Sequence, residues 1–289
     1  MKTLSCDNTA TETLNTFLVD AIAAARAAAA VILRKADQLS SLTVTSKGLN
    51  DFVSEVDQDA EWEIIKILSQ AYPDHAFLCE EAGQKGCLNS DFTWIIDPLD
   101  GTTNFLHGFP QFAVSIALLN LGRLECAVIY DPSRDELFTA VHGGGATLNG
   151  RPLQVTEKSG FAGSLLCTGF PLWYPSDNSS YFDMMRAVVA AGANIRRCGA
   201  AALDLAWVAC GRIDGFWEMG LKPWDIAAGI LLIQEAGGIV TDFAGGGSSL
   251  ATGDILTAGP TLQTQMYEAF LPYVPRLPIH QACNRQDFI

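Results

Sequence analysis

The sequence predicts a mixed α/β protein in which helices and sheets are stacked in layers. Three observations support this fold class. Apolar residues recur at helical spacing in residues 11–36 and 57–70. Short β-prone segments separated by Gly, Pro and Asp follow between residues 77 and 141. From residue 160 onward the two kinds of segment alternate, which is the pattern of sheets covered by helices.

A β-hairpin is predicted between the two helical segments in the first quarter of the chain. β-prone residues at 42–45 and 52–53 lie on either side of a Lys-Gly turn at 47–48. Further strands are predicted after the second helix, at 77–79, 94–96, 112–119, 124–130 and 137–141.

The second half of the chain predicts strands and helices in alternation. They comprise a strand at 165–168, helices at 181–191 and 200–210, a strand at 213–217 and a helix at 224–235. The change of pattern near residues 150–160 predicts an N-terminal α+β lobe, residues 1–155, and a C-terminal α/β lobe, residues 156–289.

Charge restricts the possible partners. The formal net charge is -14 at pH 7. A nucleic-acid module needs clustered Lys and Arg to displace counterions, so we expect no nucleic-acid partner. An acidic protein can still handle a phosphate if bound divalent cations invert the local field.

Cysteine usage and hydropathy predict the cellular environment. The 8 cysteines lie scattered in apolar stretches without the paired spacing of a zinc site, so we expect buried free thiols. Residues 21–33 form the most apolar stretch, which is interrupted by Arg26 and too short to span a bilayer. No secretory leader is recognisable. We therefore expect a cytoplasmic protein with no membrane partner.

The most informative motif is WIIDPLDGTTNF at residues 94–105, where an apolar strand runs into acidic and small polar residues. Asp97 and Asp100 could both reach one cluster of hard cations, which prefer oxygen ligands. Gly101 permits a close backbone approach to a ligand. For this motif alone, a purely structural interpretation, in which the carboxylates cap a helix or form Asx turns, is the alternative.

Other acidic residues at element boundaries favour the functional interpretation. Glu80 and Glu81 end a β-prone run, and Asp225 follows a Lys-Pro-Trp segment. The three clusters could converge on a site for two or three Mg²⁺ ions.

Taken together, these motifs resemble the inositol monophosphatase family of metal-dependent, lithium-sensitive phosphatases. The resemblance covers most of the chain and rests on Glu80-Glu81, on residues 97–105, on WDIAAG at 224–229 and on EAGG at 235–238. Further matches are DFVS at 51–54 with Asp57, and RCGAAALDLA at 197–206. The resemblance implies a layered αβαβα sandwich of the inositol monophosphatase and sugar phosphatase type.

The resemblance also implies the roles of individual residues. The implied metal ligands are Glu80, Asp97, Asp100, Asp225 and the carbonyl of Leu99, of which only Asp225 belongs to the C-terminal lobe. A metal-activated water would be oriented by Glu80 and by the Thr102 hydroxyl, which Asp57 would hydrogen-bond. The amides of Gly101 and Thr102 would hold the phosphate, and Asp100, Ala201, Glu218 and Asp225 would face the polyol hydroxyls.

Substrate choice follows from the same comparison. Carboxylates accept hydrogen bonds from vicinal hydroxyls, so Glu218 and Asp225 suit a polyol better than a nucleobase. Relatives acting on 3′-phosphonucleotides or histidinol phosphate usually carry a lysine at the position of Thr103. We therefore expect hydrolysis of inositol monophosphate, with fructose-1,6-bisphosphatase or another sugar phosphatase as the alternative.

No motif in the sequence specifies the oligomeric state or a regulatory role. The resemblance implies a homodimer. The competing class is a regulatory or scaffolding protein that retains the fold and acts through a binding surface, because fold alone does not establish function. The presence of all the implied metal ligands favours the enzyme.

Overall fold

The computed structural model describes residues 6–36, 38–39, 44–48, 51–170 and 178–277. Its helices are α1 (Cys6–Ala36), α2 (Glu55–Ala71), α3 (Thr102–Leu106), α4 (Ser179–Ala190), α5 (Ala201–Ala209), α6 (Pro223–Glu235), α7 (Ser249–Thr252) and α8 (Pro260–Phe270). A 3-10 turn follows at Val274–Arg276.

The strands fall into three sheets. A hairpin pairs β1 (Val44–Gly48) with β2 (Asp51–Ser54). The larger sheet contains β3 (Ala76–Cys79), β4 (Gly83–Gly86), β5 (Phe92–Asp100), β6 (Ala113–Asn120), β7 (Arg123–Asp131), β8 (Glu136–Val141), β9 (Gly145–Leu148) and β10 (Arg151–Pro152). The smaller sheet contains β11 (Leu165–Thr168), β12 (Asn194–Arg196), β13 (Gly215–Glu218), β14 (Ile239–Thr241) and β15 (Ile255–Ala258).

Strand order places the predicted motif near one side of the larger sheet. The eight strands are ordered β10-β9-β8-β7-β6-β5-β3-β4, and β3 runs parallel to β5 while the other pairs are antiparallel. The five strands of the smaller sheet are ordered β12-β11-β13-β15-β14. In that sheet β11 pairs in parallel with both β12 and β13.

Side-chain alternation along the strands builds three cores. On β5, Trp94 and Ile96 pack under α1 and α2, whereas Ile95 points to a central core shared with α5 and α6. On β13, Phe216 faces that central core, and Trp217 faces a third core with α4 and α8. Successive strand residues point to opposite faces, so each sheet is covered on both sides.

The resulting layer order is α1 and α2, larger sheet, α5 and α6, smaller sheet, then α4 and α8. This arrangement confirms the predicted layered αβαβα sandwich. The division of the chain at residue 155 stays a prediction.

The predicted elements are present, but the sequence did not predict β4, β9, β10, β12, β14, β15, α7 or α8. Three of these omissions have a physical reason. Strand β4 has the sequence GQKG, which carries no β-prone residue, and β12 and β10 are only 3 and 2 residues long. Such edge strands are defined by their partners rather than by their own propensity. The predicted hairpin is formed, although residues 42–43 lie outside the described residues.

Helix α1 corrects the sequence-based length of the apolar stretch. Leu14–Ala36, 23 residues, is long and apolar enough to cross a membrane by length and composition. Its apolar side is occupied by packing, because Ala21, Ala24 and Ala28 are fully buried between α2 and the larger sheet. A buried core helix passes the same test of length and composition.

The cysteines are less uniformly buried than expected. The structure gives free thiols at Cys79, Cys87, Cys126, Cys167, Cys198 and Cys210 among the residues it describes. Cys87 is exposed, and Cys198 and Cys210 are half-buried. The expectation of burial is therefore wrong for Cys87, which lies in the turn after edge strand β4.

Candidate functional site

The parallel pairing of β3 and β5 brings their acidic ends to the same edge of the larger sheet. Asp97 and Asp100 lie at the carboxyl end of β5, and Glu80 directly follows β3. The Glu80 amide donates to the Ile96 carbonyl at 3.1 Å, which extends the pairing by one residue. Glu80 is thereby held beside Asp97.

A β-bulge places Asp97 and Asp100 on the same side of the strand. Asp97 pairs with Ser115 and Asp100 with Ala113, so β5 has one residue more than β6 across this interval. In a regular strand, residues three apart would point to opposite faces. The extra residue reverses this relation. The Leu99 amide donates to Asp97 Oδ1 at 3.0 Å and fixes the carboxylate within the bulge.

Asp225 reaches the same edge from the first turn of α6. The Ser115 hydroxyl, opposite Asp97 in the sheet, donates to the Trp224 carbonyl at 3.1 Å. Asp225 Oδ2 accepts from the Lys222 amide at 2.7 Å and caps the helix. These contacts hold Asp225 near carboxylates that precede it by more than 100 positions.

The electrostatics of Asp97 show how closely these groups approach. Asp97 is only 2% exposed. Burial, followed by the negative charges of Glu80, Asp100 and Asp225, raises its pKa well above the ordinary value. Burial likewise raises the pKa of Asp100 to about 7, against the opposing effect of the Ala202 amide, which donates to Asp100 Oδ2 at 2.7 Å. The structure therefore brings together the four predicted carboxylate ligands.

This donor set fits divalent cations. Like charges gathered in a buried position destabilise one another, and a bound cation would relieve the repulsion. Carboxylate and carbonyl oxygens are the ligands that Mg²⁺ prefers. The predicted carbonyl ligand, Leu99, lies between Asp97 and Asp100, with its oxygen 3.1 Å from the hydroxyl oxygen of Thr102.

Thr102 is connected to α2 through Asp57. Its hydroxyl donates to Asp57 Oδ1 at 2.8 Å. Asp57 is fully buried, and its Oδ2 accepts from the Ser54 amide at 2.8 Å and the Ser54 hydroxyl at 2.6 Å. Burial raises the pKa of Asp57, and these hydrogen bonds oppose the rise. The predicted contact between Asp57 and Thr102 is present.

The backbone conformation at position 101 requires glycine. Its φ is +92°, in the left-handed region, and a Cβ there would lie 2.7 Å from the Gln111 carbonyl. A side chain would meet both the strain of this conformation and the close neighbour. Gly101 thus turns the chain from the end of β5 into α3 and brings Thr102 close to Asp57.

Glu218, at the end of β13, approaches from the second sheet. Burial raises its pKa to about 8, Arg197 opposes the rise, and the charges of Asp225 and Asp100 add to it. A Cβ on Gly169 would lie within 1.7 Å of Glu218 Oε1, so only glycine leaves space for this carboxylate. Ala201, the remaining predicted substrate contact, begins α5 and is buried.

Sequence reasoning missed residues that support the site. The Glu61 carboxylate accepts from the Glu81 and Ala82 amides at 2.9 and 2.8 Å and thereby fixes the turn after Glu80. Arg197 supplies positive charge near Asp100 and Glu218, and its guanidinium lies 5.8 Å from the centre of the Phe170 ring. The Arg-Cys-Gly segment before α5 was a usable signal for Arg197, whereas Glu61 had none beyond its place on a helix.

A model of the inositol monophosphatase family matches residues 13–276. The chain belongs to this family. Its sequence is 48% identical over 259 residues to the Nus factor SuhB of Haemophilus influenzae, covering 90% of this chain and 97% of the relative.

Solved structures of similar proteins share this fold. The extragenic suppressor protein suhB of Bartonella henselae superposes with a TM-score of 0.85 at 42% identity, covering 88% of this chain and 98% of the other. An inositol monophosphatase from Anabaena gives a TM-score of 0.80 at 39% identity, covering 90% and 97% of the two chains.

Proposed function

We propose that this member of the inositol monophosphatase family is a Mg²⁺-dependent, lithium-sensitive phosphatase that hydrolyses inositol monophosphate to inositol and phosphate. The observation that carries the proposal is the buried group of carboxylates around Asp97, whose pKa is raised by burial and by Glu80, Asp100 and Asp225. Such a concentration of negative charge favours cation binding over a purely structural role.

Two or three Mg²⁺ ions would be held by Glu80, Asp97, Asp100, Asp225 and the Leu99 carbonyl. Bound Mg²⁺ would lower the pKa of water and neutralise the charge that develops on the phosphoryl oxygens. The chain itself supplies the positions of these oxygen donors through the bulge in β5 and the pairing of β3 with β5.

Thr102 and Glu80 would orient the attacking water. Because the Thr102 proton is donated to Asp57 at 2.8 Å, the Thr102 oxygen is left to accept a hydrogen bond from water. Glu80 would accept the second proton as general base. With both protons held, the lone pair of the water oxygen would attack phosphorus while the P–O bond to the inositol oxygen breaks. The proton taken by Glu80 would pass, directly or through water, to the leaving oxygen, so the products are inositol and phosphate and no covalent phosphoenzyme is needed.

The polar groups around this centre suit a phosphorylated polyol. The amides of Gly101 and Thr102 would donate to the phosphate. Asp100, Glu218 and Asp225 would accept hydrogen bonds from ring hydroxyls, while Ala201 would border the ring. A fructose bisphosphate offers similar hydroxyls, so a sugar phosphatase is the nearest alternative.

The experiment that tests this proposal measures phosphate release from inositol 1-phosphate, fructose 1,6-bisphosphate and a 3′-phosphonucleotide. Each substrate is assayed with Mg²⁺, with EDTA, and with Mg²⁺ plus Li⁺. We expect Mg²⁺-dependent, Li⁺-inhibited release with preference for the inositol ester. A preference for fructose 1,6-bisphosphate would make that sugar phosphate the assigned substrate. No phosphate release from any of the three compounds would contradict the proposal of phosphatase activity.

A regulatory role is a second candidate, favoured by the Nus factor names of relatives at 46–48% identity. In this role the same fold would act through a binding surface in the cytoplasm, with or without catalysis. We propose a homodimer for either role. Binding to a purified bacterial transcription complex, compared between the wild type and a catalytically inactive variant, separates the two functions.

A further inference from the structure

Cys167, Cys198 and Asp204 converge on a second position between the smaller sheet and α5. Parallel pairing of β11 with β12 sets Cys167 opposite Arg196, and Cys198 follows two residues later. Asp204 projects from the first turn of α5. The two sulfur atoms are 3.5 Å apart, and one carboxylate oxygen of Asp204 lies within 4.8 Å of both.

Asp204 is the group in this cluster that most needs a partner. It is 2% exposed, and its Oδ1 has no hydrogen-bond partner in the structure. Burial raises its pKa well above the ordinary value. A buried carboxylate oxygen without a partner is costly, and such groups in native proteins commonly mark a bound ion or water.

We propose that Cys167, Cys198 and Asp204 form a binding site for a soft divalent cation of the zinc class. Two thiolates and one carboxylate oxygen supply three protein ligands, which leaves a fourth position for water. Thiolate sulfur selects Zn²⁺ or Cd²⁺ over Mg²⁺, so this site differs in metal preference from the oxygen cluster around Asp97.

The separation of the sulfur atoms, which is that of a thiol–thiol hydrogen bond, would change little on metal binding and greatly on disulfide formation. Tetrahedral coordination with metal–sulfur bonds of about 2.3 Å places two sulfur ligands about 3.8 Å apart. A disulfide requires about 2.05 Å. The observed 3.5 Å is close to the first separation and far from the second. A disulfide would also leave Oδ1 of Asp204 without a partner.

The chemistry of the thiols supports metal binding. The hydrogen bond from Cys167, followed by that with Asp204 and by the charges of Arg196 and Arg197, lowers the pKa of Cys198 to about 6 against the effect of burial. The lowered pKa favours the thiolate form of Cys198, which is the form that ligates metal. The pKa of Cys167 is raised by its hydrogen bond with Cys198 and by burial, so binding would release its proton.

The site borders the loop that supports the carboxylate cluster. The Asn104 side-chain amide donates to the Cys198 and Gly199 carbonyls at 2.9 and 3.1 Å. Two residues before Asp204, the Ala202 amide donates to Asp100. A cation bound to Cys198 and Asp204 would thus clamp the segment between β12 and α5.

The test titrates fully reduced protein with Cd²⁺ in saturating Mg²⁺, which fills the oxygen cluster, and follows thiolate-to-metal charge-transfer absorption in the ultraviolet. We expect one equivalent of cysteine-dependent binding. Cys167→Ser and Cys198→Ser should each reduce the band by about half, because each removes one of two metal–sulfur bonds. Asp204→Asn should weaken binding while keeping the band, and Cys126→Ser, in the core under α1, should change neither.

A second measurement on the wild type keeps the proposal testable if a variant fails to fold. Zn²⁺ should slow alkylation of half-buried Cys198, followed by peptide mass spectrometry, by at least about tenfold, since thiolate nucleophilicity is lost on ligation. Exposed Cys87 should react unchanged. The proposal is overturned by equal protection of both cysteines, by none, or by an absorption band that persists in a Cys167→Ser/Cys198→Ser double variant.

Discussion

The hydroxyl of Thr102 donates a 2.8 Å hydrogen bond to Oδ1 of Asp57, linking residues 45 positions apart. Asp57 is itself held by the Ser54 amide and hydroxyl at the start of α2. In this chain of hydrogen bonds Thr102 donates and Asp57 accepts, as an ionised carboxylate does. Thr102 therefore presents an acceptor to the site.

Thr102→Val should lower kcat by about 10²-fold or more, because the water loses the acceptor that orients it. The size of the side chain is nearly unchanged, so KM for inositol 1-phosphate should change little. Thr102→Ser keeps the hydroxyl and is the matched control. Steady-state kinetics at saturating Mg²⁺ measures both constants, and equal activity of the valine and serine variants would remove Thr102 from the reaction.

Asp97→Asn should reduce Mg²⁺-dependent phosphate release by about 10³-fold, because losing one metal-ligand charge removes several kcal/mol of transition-state stabilisation. The same change should leave the melting temperature in EDTA equal or higher, since Asp97 is repelled by its acidic neighbours. Asp91→Asn, at an exposed position just before β5, is the control for both measurements. Full turnover by Asp97→Asn would exclude it as a metal ligand.

Gly169→Ala should raise KM for inositol 1-phosphate about tenfold, because its Cβ would displace the carboxylate of Glu218. An aryl phosphate, which has no ring hydroxyls to bind, should be affected much less. Glu218→Gln should show the same preference. Gly247→Ala is the control, since a Cβ there would meet nothing within 4 Å. Equal effects on both substrates would place Glu218 outside the polyol site.

The metal-free protein should lose stability as pH rises from about 4 to about 8. Burial raises the pKa of Asp100 to about 7 and of Glu218 to about 8, so the folded state holds protons that the unfolded state has released. Their protonated forms favour folding at low pH, and this advantage disappears above the folded pKa. Addition of Mg²⁺ at pH 8 should restore the melting temperature, because the cation replaces the protons.

Thermal melts in EDTA across this pH range measure the effect. Glu218→Gln should flatten the dependence, because it removes one of the titrating groups. Glu157→Gln, at an exposed position, loses the same charge and should leave the slope unchanged. A melting temperature that rises with pH in EDTA would contradict the assignment of raised pKa values to the buried carboxylates.

The sequence was most informative where local pattern and chemistry coincide. The apolar run before Asp97 defines β5, and the helical spacing in α1 and α2 defines the layer that covers it. The sequence did not predict edge strands such as β4 and β12, because their short sequences form strands only by pairing with a neighbouring strand. The sequence also did not predict that Glu61 accepts hydrogen bonds from the turn after Glu80, because a Glu on a helix cannot be distinguished by pattern from a solvated surface charge.

By itself, the sequence determined the layered fold and the family, because residues 94–105 and 224–229 carry a dense set of motif residues on predictable elements. Only the tertiary structure decided which distant groups meet. The bulge turns Asp97 and Asp100 to one side, and the contact of Ser115 with Trp224 brings in Asp225. The tertiary structure also brings Cys167 close to Cys198 and Asp204, three residues whose spacing in the chain resembles no zinc motif. Periodicity reports the face of an element on which a residue lies, whereas distances between elements depend on how the layers pack.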